Sequence, residues 1–194
     1  NTLILYFRMI FTMLVSLYTS RVVLNTLGVE DFGIYNVVGG VVAMLSFING
    51  SLSAASSRYI TYELAIGTPE SLRKTFSCVM TIHIFIALLI AILGETVGSW
   101  FLLHELKIPE NRLSSAIWVF QCSILSTMLS IISVPYNATI IAHEKMNVYA
   151  YISIMDVILK LGIVYLLVIL PFDKLKIYAL LILAIQIFDV FVYR

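Results

Sequence analysis

Four charged side chains lie within runs that are otherwise almost entirely apolar. Asp156 and Lys160 stand four positions apart in the stretch about 148–170. The acid comes first, the favourable order for an ion pair along a helix. Arg21 lies in the stretch about 3–27, with Tyr18 and Asn25 three and four positions away on the same helical face. Asp189 lies in the stretch about 176–193. A charge at the centre of a bilayer costs about 2.5–3.5 kcal/mol on insertion scales, so such residues face a bundle interior or a watery cavity. Arg21 either enters such a cavity or snorkels to an interface. Asp156 and Lys160 either form a protonation- or ion-sensitive switch or merely neutralise each other and hold helices together. Asp189 either joins these buried charges or, with Arg194, ends a helix.

Small polar residues add a second signal. Gly39, Ala43, Ser46, Gly50, Ser53 and Ser57 recur at steps of three or four. Such a face either lets two helices approach closely or lines a cavity, with Asn36, Asn49 and Ser56 as polar contacts. Ser123, Ser126, Ser130 and Ser133 form a similar stripe, and Pro135 is expected to kink that helix near its end. Two small polar faces plus buried charges point to a water-accessible pathway.

The elements that must position these residues follow from composition. Of 194 residues, 61% are hydrophobic and 12% charged, and the mean hydropathy is +1.01. Soluble domains run nearer 45–50% and ~25%, so most of this apolar surface must meet lipid or other helices. Three windows, Phe32–Ser57, Thr75–Gly94 and Leu113–His143, contain no Asp, Glu, Lys or Arg. Each exceeds the roughly 20 residues a helix needs to cross. Continuous apolar runs exclude barrel strands, which alternate. The expectation is an all-α transmembrane bundle of about six spans, near 3–27, 34–57, 75–98, 114–140, 148–170 and 176–193, forming one unit over 1–194. Its connections are Gly28 to Gly33, a short helix from Pro69 to about Ser77 capped by Thr68, Ile108-Pro109-Glu110, His143-Glu144-Lys145, and Pro171 to Lys174.

Other chemistries find little support. A net charge of +1 offers no patch for nucleic acid. Cys78 and Cys122 sit in apolar runs as small hydrophobes. His83, His104 and His143 share no metal-ligand spacing, and no nucleophile, zinc-protease or phosphate-loop motif occurs. The sequons at Asn49 and Asn137 fall inside spans. No catalytic residue, metal site or cofactor is expected. If the N-terminus is cytoplasmic, the inner side holds Arg8, Arg58, Arg73, Lys74, Lys145 and Arg194, against Arg21, Lys107, Arg112, Lys174 and Lys176 outside. Six against five barely favours that orientation.

Several segments carry a resemblance. Arg21 followed by Leu27 through Tyr35 resembles the turn after the first helix of bacterial polysaccharide flippases, the O-antigen and lipopolysaccharide exporters of the multidrug/oligosaccharidyl-lipid/polysaccharide superfamily. Val134-Pro135-Tyr136-Asn137-Ala138 with Ile141 through Met146 is similar to the family's end of helix four, and Asp156 through Leu161 to its fifth helix. The resemblance implies twelve helices in two six-helix lobes, of which this chain matches the first. That agrees with a chain that starts at Asn1 rather than Met and lacks a second lobe. It implies an undecaprenyl-diphosphate-linked oligosaccharide as substrate, moved by alternating access across the bacterial inner membrane for lipopolysaccharide or capsule synthesis. It implies a cytoplasmic N-terminus, membrane lipids and the polysaccharide assembly machinery as partners, and coupling to a Na+ or H+ gradient. Arg21 and Arg58, with Asn25, Asn36 and Asn49, would then meet the substrate, the arginines pairing with its diphosphate; Asp156 and Lys160 would form the ion-coupling pair. The alternatives are an ion-coupled multidrug antiporter of the same superfamily, a polytopic enzyme of envelope synthesis, and a non-catalytic scaffold.

Overall fold

The computed structural model describes residues 2–45, 48–169 and 173–193, with side chains over 3–44, 50–169 and 173–193. Ser46, Pro171, Phe172, Arg194 and the side chain of Asn49 lie outside the described residues. The described chain is all-helical: α1 (Thr2–Leu45), α2 (Ile48–Ile66), α3 (Pro69–Leu93), a π-helical turn (Gly94–Gly98), α4 (Ser99–His104), α5 (Glu110–Ala142), α6 (Met146–Ile169) and α7 (Lys174–Tyr193).

Among the described residues, five helical stretches, rather than six, are long and apolar enough to cross a membrane. The count differs because the first, Leu3–Met44, covers residues expected to form two spans. At about 1.5 Å per residue, its 42 residues would make a rod twice the thickness of a bilayer core. Gly28 breaks it into two arms, with φ 84° and ψ 167°, a backbone region open essentially to glycine alone. The turn is therefore made at one residue. Gly33, expected to close it, already lies within the second arm.

Of the expected second span, 34–57, residues 34–45 lie in α1 (Thr2–Leu45) and 48–57 in α2 (Ile48–Ile66), and residues 46 and 47 lie outside the described residues. The expected short helix from Pro69 is continuous with α3, and Thr68 caps it by accepting from the Ser71 N–H at 3.2 Å. The third span continues through the π turn to His104. Gly94 and Gly98 explain why that turn packs so closely. A Cβ at Gly94 would lie 2.9 Å from Ile124 Cδ1, and one at Gly98 2.8 Å from Phe120 Cζ. This Gly-x-x-x-Gly lets α5 approach, as small residues do between membrane helices.

α5 is the hub, packing against α7, α2, α3 and α1, while α6 packs against α1. Its central residues Ala116, Val119, Phe120, Cys122 and Ile124 meet Val38 and Val42 of α1 and Val164 and Leu167 of α6 in the main core. The chain stays helical through Pro135 to Ala142. There the N–H of Lys145 reaches the C=O of Ile140 at 3.1 Å, and that of Glu144 reaches Ile141 at 2.9 Å. These two bonds are a Schellman stop, with Glu144 at φ 57° where glycine is usual.

Candidate functional site: a polar chamber inside the bundle

The ion pair expected between Asp156 and Lys160 is formed, with Lys160 Nζ 2.8 Å from Asp156 Oδ2. Asp156 faces a chamber of about 560 Å³ lined from five helices. The first arm of α1 contributes Arg8, α2 Gly50 and Ser53, α5 Ser130, Ser133 and Asn137, α6 Tyr149, Ser153 and Asp156, and α7 Gln186, Asp189 and Tyr193. Antiparallel helices put the start of α1 and α6 beside the ends of α5 and α7, so residues far apart in sequence meet at one end of the bundle.

Four buried polar atoms of chamber residues have no partner among the described residues: Arg8 Nε, Asn137 Oδ1, Asp156 Oδ1 and Asp189 Oδ1. An unpaired buried polar atom costs about 1–3 kcal/mol, and four such atoms gather around this one cavity. Arg8 donates to Ser153 Oγ at 3.2 Å and its guanidinium lies 4.6 Å from the centre of the Tyr149 ring. Both partners are neutral, so its charge stays free for an acidic group. Asp189 is 6% exposed and, among the described residues, forms no ion pair. Arg8, Asn137 and Asp189 are among the chamber residues outside the predicted site, and of the two readings open for Asp189 the structure gives the one in which it joins the buried charges.

The stripe of small residues is divided between the two helices. Gly39 and Ala43 face Ser123 and Ser126 across a pocket of about 210 Å³, whereas Gly50 and Ser53 face Ser130 and Ser133 in the chamber. A Cβ at Gly39 or Gly50 would meet nothing within 4 Å. Within this chain these positions line cavities rather than let helices touch.

A third cavity, of about 220 Å³, lies in the fold of α1 and is lined by Asn36 and Lys160. Arg21 and Asn25 are exposed on the first arm and line neither this pocket nor the chamber. Arg58 is exposed on α2 beside Tyr59 and Tyr62, away from the other predicted site residues. The structure thus brings Asn36 to the Asp156–Lys160 pair and leaves Arg21, Asn25 and Arg58 on outer faces.

The opposite end of the bundle is tied by a cluster the sequence reading did not foresee. Arg112, at the start of α5, lies 3.1 Å from Asp31 Oδ2 and 3.6 Å from Asp173 Oδ1. Asp173 accepts from Ser115 at 2.8 Å and caps α7 through the Leu175 N–H at 3.2 Å. Lys174 donates to the Thr26 carbonyl at 3.3 Å, satisfying one of the last acceptors of the first arm. Asp31 lies in the first turn of the second arm, just after Gly28.

Five long apolar helices around a charged interior define an α-helical membrane protein. No protein-family model, curated protein or solved structure matches the chain.

Proposed function

We propose that this chain is the N-terminal lobe of a two-lobed exporter that moves an undecaprenyl-diphosphate-linked oligosaccharide across the bacterial inner membrane, N-terminus cytoplasmic, by alternating access. The observation that carries a transport reading is the chamber, where Asp156, Asp189 and Arg8 meet inside an apolar bundle. Intramembrane charges of both signs, kept at such cost, belong to ion and substrate pathways. The choice of substrate rests on the resemblance around Leu27–Tyr35, Val134–Met146 and Asp156–Leu161. In this reading a sodium or proton gradient drives the cycle and Asp156 with Lys160 senses it, while Arg21 and Arg58 meet the diphosphate from outer faces that a second lobe would cover. The protein supplies a path and no bond-making chemistry.

The chamber also gives the multidrug-antiporter alternative one point in its favour, since two acids and two tyrosines, Tyr149 and Tyr193, suit an organic cation. Arg8 in the same chamber works against that.

Deletion of the full-length gene, complemented with wild type, Asp189→Asn or Arg21→Ala, separates the two. The flippase reading expects loss of surface polysaccharide and build-up of lipid-linked oligosaccharide with each variant at normal membrane abundance. Wild-type polymer in the deletion strain, accompanied by new sensitivity to cationic drugs, would replace it with the antiporter.

A further inference from the structure

Lys160 lines one cavity and is paired with an acid that lines another. Its ammonium is held by Asp156, whose side chain lines the chamber, while Lys160 itself lines the pocket in the fold of α1. Val157 lines both. The pocket has a distinct chemistry. Phe32, Tyr35 and Tyr178 give it aromatic walls, the two tyrosines packed edge to face at 4.8 Å, while Ser16, Ser20 and Asn36 stand on its rim. Asn36 spends its amide nitrogen on the Phe32 carbonyl at 2.7 Å, which leaves its Oδ1 as an acceptor. The Thr19 hydroxyl is likewise spent, on the Val15 carbonyl.

Aromatic walls, hydroxyls and an amide oxygen suit a hydroxylated ring, whose C–H faces lie on aromatic rings while its hydroxyls bond at the edge. The one charge on this pocket is the ammonium of Lys160, so the ring that fits it best carries an acidic group.

We infer that Lys160 is the coupling residue of the lobe. Asp156 holds it while the chamber is charged, and loss of the Asp156 charge releases it to an acidic sugar in the pocket. This rests on the transport reading above and adds to it the sugar subsite and the residue that links it to the chamber. Around Asp156 the charged and titratable groups are Arg8 from α1, Tyr149 and Lys160 from α6, and Asp189 and Tyr193 from α7; α2 and α5 bring only Gly50, Ser53, Ser130, Ser133 and Asn137 as small or polar neighbours. Lys160 is therefore the cation that Asp156 pairs with directly. The ion pair joins the two cavities, so a ligand that competes for Lys160 in one is coupled to the charge on Asp156 in the other, and that coupling is reciprocal.

The test uses the full chain in nanodiscs, with glucuronate and glucose as probes and binding read by saturation-transfer NMR. Asp156→Asn should tighten glucuronate on the order of tenfold, within the usual range for coupled sites, and leave glucose nearly unchanged. Lys160→Met should remove the preference for glucuronate, and the double variant should behave as Lys160→Met alone. Asn36→Leu should weaken both sugars. Asp156→Thr replaces the Asn variant if that one does not give a wild-type thermal transition. Additive effects of the two substitutions, equal affinity for both sugars in wild type and Lys160→Met, or no binding by any variant would overturn the proposal. Coupled binding in a protein whose deletion leaves surface polysaccharide intact would instead overturn the transport reading and keep the coupling.

Discussion

Replacing Arg112 by Met removes the one cation that, among the described residues, pairs with the buried Asp31 at the end of the bundle opposite the chamber. The Asp31 side chain is 7% exposed and that of Arg112 35%. Removing one partner of a fully buried pair costs about 3–5 kcal/mol, because a charge is left uncompensated in the interior. Water reaches a third of Arg112, which places this case at the lower end, about 3 kcal/mol. For a chain of this size each kcal/mol moves the transition by about 2–4 °C, so the expected fall is about 6–12 °C. Cys122 supplies the assay. It is buried in the core and Cys78 is exposed, so in a Cys78→Ser background a thiol-reactive dye reports only on unfolding. Asp31→Asn combined with Arg112→Met should recover most of the stability. A shift below 2 °C for Arg112→Met, or strictly additive losses in the double variant, would refute the idea that charge pairing holds this end together.

Three further substitutions probe the backbone and the close packing, all read by the same dye transition. Gly28→Ala should cost on the order of 1–3 kcal/mol although its Cβ meets nothing within 4 Å, because the penalty is purely conformational. Gly98→Ala should cost about 1–3 kcal/mol, since its Cβ would lie 2.8 Å from the end of the buried Phe120 ring; a neutral result would mean that α5 is free to shift. Glu144→Gly should stabilise by about 1 kcal/mol, because it relieves a left-handed residue in an exposed helix stop.

The sequence alone determined the class of protein and much of its local structure. Long runs without charge can only be membrane helices, since nothing else satisfies every backbone group in lipid. Local rules placed the Thr68 cap, the turn at Glu144 and the Asp156–Lys160 pair, because each depends on residues within about one helical turn. The extension of the third span beyond residue 98 to His104 was not legible, since it depends on what packs against it. Tertiary structure alone decided which charges share a space. Arg8, Asn137 and Asp189 lie at the ends of three helices and meet only because those helices run antiparallel. Asp31, Arg112 and Asp173 meet at the other end for the same reason. The small residues of α1 and α2 illustrate the difference best: their spacing marks a bare face, but only the position of α5 leaves that face open as a cavity.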